Sequence, residues 1–376
     1  MQLGDVFSQT TLNVVEVGEA TTGVSTATGN GYTAGVDSGD LDIRSNQTLQ
    51  GNVSADTALN VSANAGLSTS LTTAATGNTG EAAIVSGVMT GIYNQTTGPV
   101  SIYGHSHTEA PDAQAGDISV DTRAIGNSQG VAATAGATGV RVNQTNAAFV
   151  NADGGGVVGL STGTANFAAT TAANNVGVTG AAGSGQRVEV NQTNNAANTQ
   201  AGQFTAYGNS YLAATQATAT GNNVSATNEG PILDLTSNQT NNAYVRAQGE
   251  STSYLFSAGS AGAQGVGNSL MAGDIGGELI LDNTQFNDGG GIEAVASYGG
   301  TQGYDAQSSA TAIGNSVTGY SCSECDGRIL ASNRQTNAVD VGATSTTTID
   351  GYARSATGIA TAIGNTGSFY STRPGS

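Results

Sequence analysis

A few groups of side chains in this sequence have the types and spacing to do chemistry. His105-x-His107-x-Glu109 sets two imidazoles and a carboxylate on one face of an extended segment, a donor set that suits zinc or copper. The chain has only two histidines and Pro111 follows closely, so an exposed loop is the favoured reading and no metal site is assigned. Cys322-x-x-Cys325 has the spacing of half a zinc site or a redox pair. No second pair completes four ligands and no βαβ pattern surrounds it, so a disulfide closing a local turn is expected between Cys322 and Cys325. The acid-rich glycine stretches beginning Asn151-Ala152-Asp153-Gly154 and Asn287-Asp288-Gly289 are similar to calcium-binding nonapeptide turns without repeating their pattern. Calcium is therefore the one candidate ion, and the main expectation is no cofactor. Asp112, Asp117 and Asp121 are carboxylates that a glycan-cleaving groove would use. Lys is absent and Arg is thinly spread, so no catalytic constellation forms and a non-enzymatic protein is expected.

The background in which these residues stand is unusual. Of 376 residues 56 are Gly, aromatics make up 5% and charged residues 10%, against about 25% charged in an ordinary globular domain. Nine basic residues, all Arg, against 27 acidic give a net charge of −18. A surface of that sign repels phosphate backbones and excludes nucleic acid as a partner, while cationic polymers and neutral glycans remain compatible. No run of 18 apolar residues is present to cross a membrane as a helix. Met1 followed directly by Gln2-Leu3-Gly4-Asp5 reads as a start residue placed on an exported sequence whose signal has been removed.

The elements that position these residues come from an internal repeat. An Asn-Gln-Thr motif, or a near variant, places Gln at Gln47, Gln95, Gln144, Gln192, Gln239, Gln285 and Gln335, spaced 48, 49, 48, 47, 46 and 50 apart. A second motif, usually Gly-Asn, places Asn at Asn30, Asn78, Asn127, Asn175, Asn222, Asn268, Asn315 and Asn365, spaced 48, 49, 48, 47, 46, 47 and 50 apart. From Asn30 to Asn268 each Asn precedes its Gln by 17 residues; only Asn315 to Gln335 stretches, to 20, over the segment that holds both cysteines.

Around each marker apolar residues alternate with period two, as in Val140-x-Val142-x-Gln144-x-Asn146 and Leu233-x-Leu235-x-Ser237-x-Gln239-x-Asn241. Such alternation makes a strand with one buried face, and the marker Gln lies on that face. A buried primary amide without partners costs about 1–3 kcal/mol. Stacking successive repeats in register supplies the partners, each amide donating to its counterpart in one neighbouring repeat and accepting from the other. The same parity turns Asn46, Asn143, Asn191 and Asn238 outward, where Asn-Gln-Thr also fits a glycosylation acceptor.

The fold expected is all-β, a parallel β-solenoid (β-helix) of about seven to eight 48-residue repeats. Two coils per repeat, one marked by Gln and the next by Asn, are favoured, although the unequal offsets of 17 and 31 point the other way. An irregular coil or cap is expected over 1–29, with Gln9-Thr10-Thr11 as a degenerate marker, a continuous solenoid over 30–370, and a flexible tail over 371–376. An open end of such a stack invites self-association or partner addition.

The Gln and Asn markers on glycine-rich coils resemble curlin-type repeats of bacterial amyloid fibres, at about twice their period. A closer resemblance is to the holdfast-anchoring surface proteins of stalked alphaproteobacteria. Its carriers are Val-Asn-Gln-Thr-Asn-Ala at 142–147, Val-Asn-Gln-Thr-Asn-Asn-Ala at 190–196, and Ala-Ile-Gly-Asn-Ser at 124–128 and 312–316. That resemblance implies a secreted, cell-surface anchor at the outer membrane. With other surface anchor proteins it would fasten an adhesive, N-acetylglucosamine-rich polysaccharide to the cell. Contacts to that polysaccharide are expected from outward Asn, Thr and Tyr side chains such as Tyr244 and Tyr254. A self-assembling curli-like fibre or surface-layer subunit is the alternative.

Overall fold

A computed structural model describes residues 1–322 and 327–372; Cys325, and with it the expected disulfide to Cys322, lies outside the described residues. Among the described residues the regular structure is entirely strand. The first coil is β1 (Val6–Glu16), β2 (Ala20–Ser38) and β3 (Leu41–Leu49), and each strand founds one wall. Pairing throughout is parallel and joins equivalent residues of successive repeats: Val6 to Val53, Ala20 to Ser68, and Gln47 to Gln95. The β3 wall is a seven-stranded sheet, and the other two walls share a 12-stranded sheet.

Pairing between residues one whole repeat apart corrects the coil count. Each repeat makes one coil, not two. The 17 residues from Asn30 to Gln47 run round one narrow end of the coil, through the second half of β2 and most of β3, so the two markers face each other across the same coil. With rungs about 4.8 Å apart, eight rungs of the β1 wall give a stack roughly 35–40 Å tall rather than a rod of about 70 Å, less than the roughly 60 Å run of a 19-residue β2-wall strand such as Ser68–Ser86.

The coil is flattened. The first half of each β2-wall strand packs against the β1 wall, burying Leu59, Val61 and Leu71; its second half packs against the β3 wall, burying Ile84, Met89 and Tyr93. Between the halves the in–out alternation breaks, because two consecutive residues, Gly77 and Asn78 in the second coil, both turn inward. This explains the glycine of the Gly-Asn marker. A Cβ on Gly77 would lie 2.5 Å from the Gly126 carbonyl oxygen, so glycine lets the bend of one coil sit on the next without a shift of backbone. Large core side chains likewise sit over glycine in the adjoining rung: a Cβ on Gly259 would lie 1.9 Å from the Tyr298 hydroxyl.

Both ends differ from expectation. Residues 1–29 are not an irregular cap, since Val6 to Val14 pair residue for residue with Val53 to Val61, and β2 pairs from Ala20. Gln9 is no degenerate marker; it is exposed and stacks on Asp56, on a different wall from the Gln row. At the other end Ser371 and Thr372 complete the strand Ser355–Thr372, and the rest of the expected tail lies outside the described residues.

Candidate functional site

The marker amides occupy the centre of the flattened coil, where the two halves of the core meet. Gln95 Nε2 donates to Gln47 Oε1 at 2.8 Å, Gln144 to Gln95 at 2.8 Å, and the row continues through Gln192, Gln239 and Gln285 to Gln335. The second hydrogen of each amide crosses the core to a β2-wall carbonyl, as from Gln95 to Ser128 O at 2.8 Å and from Gln144 to Asn175 O at 2.9 Å. A facing Asn row does the converse. Asn30 donates to Asn78, Asn78 to Asn127, and so on through Asn222, Asn268 and Asn315 to Asn365, at 2.7–2.8 Å. Its second hydrogens reach β3-wall carbonyls such as Thr96 O and Thr145 O, both at 3.1 Å. The Gln row donates toward the N-terminal coil and the Asn row toward the C-terminal coil. Two rows of opposite polarity thus stitch the walls together from both sides.

One member of the Asn row differs from the sequence assignment. Asn174, not Asn175, receives from Asn127 and donates to Asn222. Asn175 faces outward and its Oδ1 accepts from Asn223 at 2.8 Å. The usual marker glycine is Ala173 here, and one extra residue enters the turn at 181–184, so counting back 17 from Gln192 stops one residue short.

Two further amide rows run beside these. Asn146 donates to Asn194 at 3.1 Å and Asn194 to Asn241 at 2.9 Å, two positions along the strand from the Gln row and equally buried. On the outer face of the same wall, Asn94 donates to Asn46, Asn143 to Asn94, Asn191 to Asn143 and Asn238 to Asn191, at 2.6–3.0 Å. The signal for the outer row was in the repeated Asn-Gln-Thr itself, which also reads as a glycosylation pattern. Beside it, Arg141 pairs with Glu189 at 2.7 Å and Arg187 with Asp234 at 3.0 Å, one rung apart in each case. The Asn191 amide, and then Arg141, hold the Glu189 carboxyl below the usual range.

The remaining sequence candidates separate. His105 and His107 do not sit in a loop; they lie on the strand Ser101–Ala115, stacked with Tyr103. His105 Nδ1 lies 3.3 Å from Asp56 and His107 Nε2 lies 2.8 Å from Glu109. The Asn151 to Gly156 stretch is strand rather than turn, and Asn287 ends a strand with its side chain buried in the inner row. Among the described residues no group of three His, Cys, Asp or Glu side chains is placed to hold a metal ion. Asp117 accepts from the Thr164 backbone at 2.8 Å and Asp121 pairs with Arg123, so each has a structural partner. Tyr244 has its hydroxyl engaged by Glu293 and, mainly through burial, pushed up to about 12; Tyr254 is exposed.

The arrangement is a stack of flattened coils whose polar chemistry inside is structural and whose outer walls carry regular amides, hydroxyls and carboxylates. Comparison with known proteins adds one match: the family model for holdfast attachment protein D covers residues 15–291. No curated protein and no solved structure matches the chain.

Proposed function

The chain belongs to the holdfast attachment protein D family, which gives it a role in holdfast attachment and a place at the cell surface, and from this premise we propose that it is a non-enzymatic extracellular anchor that fastens the adhesive polysaccharide to the envelope. The family match over residues 15–291 carries the reading. Physical chemistry supports it in two ways. A stack of coils that pairs every wall rung to rung resists being pulled apart locally, because each coil is held along its walls by its neighbours. A surface with net charge −18 attracts a partly deacetylated, cationic glycan through many weak contacts. In this reading the protein is secreted, is attached at the outer membrane beside other anchor proteins, and presents its outer walls to the polysaccharide.

Capture of holdfast material by the purified protein over a salt series tests the proposal. Binding that weakens as salt rises and as the glycan is re-acetylated is the expected result. Capture indifferent to both, or cells that keep their holdfast after deletion of the gene, overturns it.

A further inference from the structure

The edge where the β1 wall turns into the β2 wall changes character along the rod. In the second coil it is a turn at Ala65-Gly66-Leu67, with Gly66 at φ 100°. From the fourth to the seventh coil the strands Phe149–Gly180, Asn198–Asn228, Tyr244–Asp274 and Ile292–Cys322 run through the edge without a break. Edge residues there stack in register. Leu160, Asn209, Leu255, Gln302 and Tyr352 form one column, in which apolar and amide side chains alternate until the final Tyr. Two positions further along the strands the flanking register sets Tyr211 and Tyr304 two rungs apart, roughly 9–10 Å. A groove of about 790 Å³ runs along these columns. Tyr211, Tyr304 and Tyr352 are 57%, 55% and 62% exposed in it. Arg354, paired with Asp305, lies 5.7 Å from the centre of the Tyr304 ring and braces it from one side.

We propose that this tyrosine-lined edge is a binding site for a neutral oligosaccharide segment, the tyrosine rings stacking on the C–H faces of pyranose rings while Asn209 and Gln302 hydrogen-bond their hydroxyl or acetamido groups. The proposal rests on the attachment reading above and names the glycan subsite that reading lacks. Three observations select this occupant. No charged residue lines the groove, although the chain carries −18, so the ligand is neither a polycation nor a polyanion. Exposed aromatics clustered on one edge mark a binding surface rather than scattered surface apolars. The backbone here is paired from rung to rung, so it offers no free edge for a peptide strand to extend the sheet. Five rungs span roughly 19 Å along the axis, room for a short oligosaccharide lying parallel to the rod.

The test is calorimetric titration of the full-length protein with two neutral probes, the hexamer of β-1,4-linked N-acetylglucosamine and cellohexaose, over a salt series. At least one probe binds saturably with little salt dependence. The double variant Tyr211→Ala/Tyr304→Ala, with an unchanged circular dichroism spectrum, binds roughly tenfold or more weakly, and Tyr211→Phe/Tyr304→Phe stays within about threefold of the parent. If the alanine variant binds as well as the parent, or the parent binds neither probe, the groove is not the subsite. Either result leaves salt-sensitive capture of holdfast material to decide the attachment reading separately. Dimerisation of the parent that the alanine variant abolishes, with no sugar bound, assigns the groove to a second copy and overturns the proposal.

Discussion

Two rows of amides run along the same wall, on adjacent residues of the same strands: Gln95, Gln144 and Gln192 inside, Asn94, Asn143 and Asn191 outside. Their ladder bonds are nearly the same length, 2.8–2.9 Å inside and 2.8–3.0 Å outside. What differs is the alternative open to each amide. A broken bond in the inner row leaves a donor or acceptor that water cannot reach, whereas the outer row exchanges its partner for solvent at little net change in free energy. Equal geometry therefore predicts unequal consequences.

The largest expected effect is at the inner row. Gln144→Ala removes the acceptor of Gln192, the donor to Gln95 and the donor to Asn175 O, three groups that each cost about 1–3 kcal/mol when left unpaired in the core. Stability should fall by about 3 kcal/mol or more, read from urea denaturation. Because the lost contacts join adjacent coils, the transition should also lose sharpness as the two flanking blocks uncouple. A loss below about 1 kcal/mol would mean that water or a shifted neighbour fills the gap, and that the two rows are alike after all.

How far the inner row was legible in the sequence follows from the same contrast. Period-two alternation fixes which way Gln144 points, because a one-residue slip would bury its polar neighbours. It is silent on which strand lies beside it. Parity is the same whether the neighbouring strand is one coil or half a repeat away, so alternation leaves the number of coils per repeat open and the pairing of Gln47 with Gln95 decides it. Asn174 was missed for a related reason: counting residues assumes that each repeat spends the same number on its turns, and the turn at 181–184 spends one more. The tyrosine edge was hidden more deeply. Tyr211 and Tyr304 are 93 residues apart, two repeat periods, but Ser257 stands at the same place in the repeat between them, so no recurring residue type marks the column and only the register shows it.

Asp274 sharpens the comparison, because it puts a carboxylate where a buried amide would serve. It stacks on Asn228, accepting from its Nδ2 at 3.1 Å, and also accepts from the backbone of Gly276 at 2.9 Å and of Gly277 at 2.7 Å. Burial raises its pKa above the usual carboxylate value, against the pull of those hydrogen bonds. The sign follows from linkage: below the ordinary carboxyl range both folded and unfolded forms are protonated and the group is neutral to stability. As pH rises through the folded value the native state must hold a buried charge, and stability is lost. Asp274→Asn should remove that segment of the pH dependence, so thermal denaturation of parent and variant should diverge between pH 3 and neutrality, a smaller effect than Gln144→Ala. Parallel pH curves would show that the backbone donors already compensate the charge.

The smallest effect is expected at the outer row, and it is the one that tests the comparison most directly. Asn143→Ala deletes two ladder bonds, to Asn94 at 2.8 Å and from Asn191 at 3.0 Å, on the same strand and one residue from Gln144. Asn94 and Asn191 both keep access to water, so their freed groups are rehydrated, and replacement of Asn by Ala on a strand face changes propensity only slightly. Stability should move by less than about 0.5 kcal/mol, within the range of ordinary surface substitutions. A loss approaching that of Gln144→Ala would mean that the outer amides are cooperatively linked along the axis, so that removing one weakens its neighbours as well. The outer row would then be part of what stiffens the rod, and not merely the regular polar surface it presents.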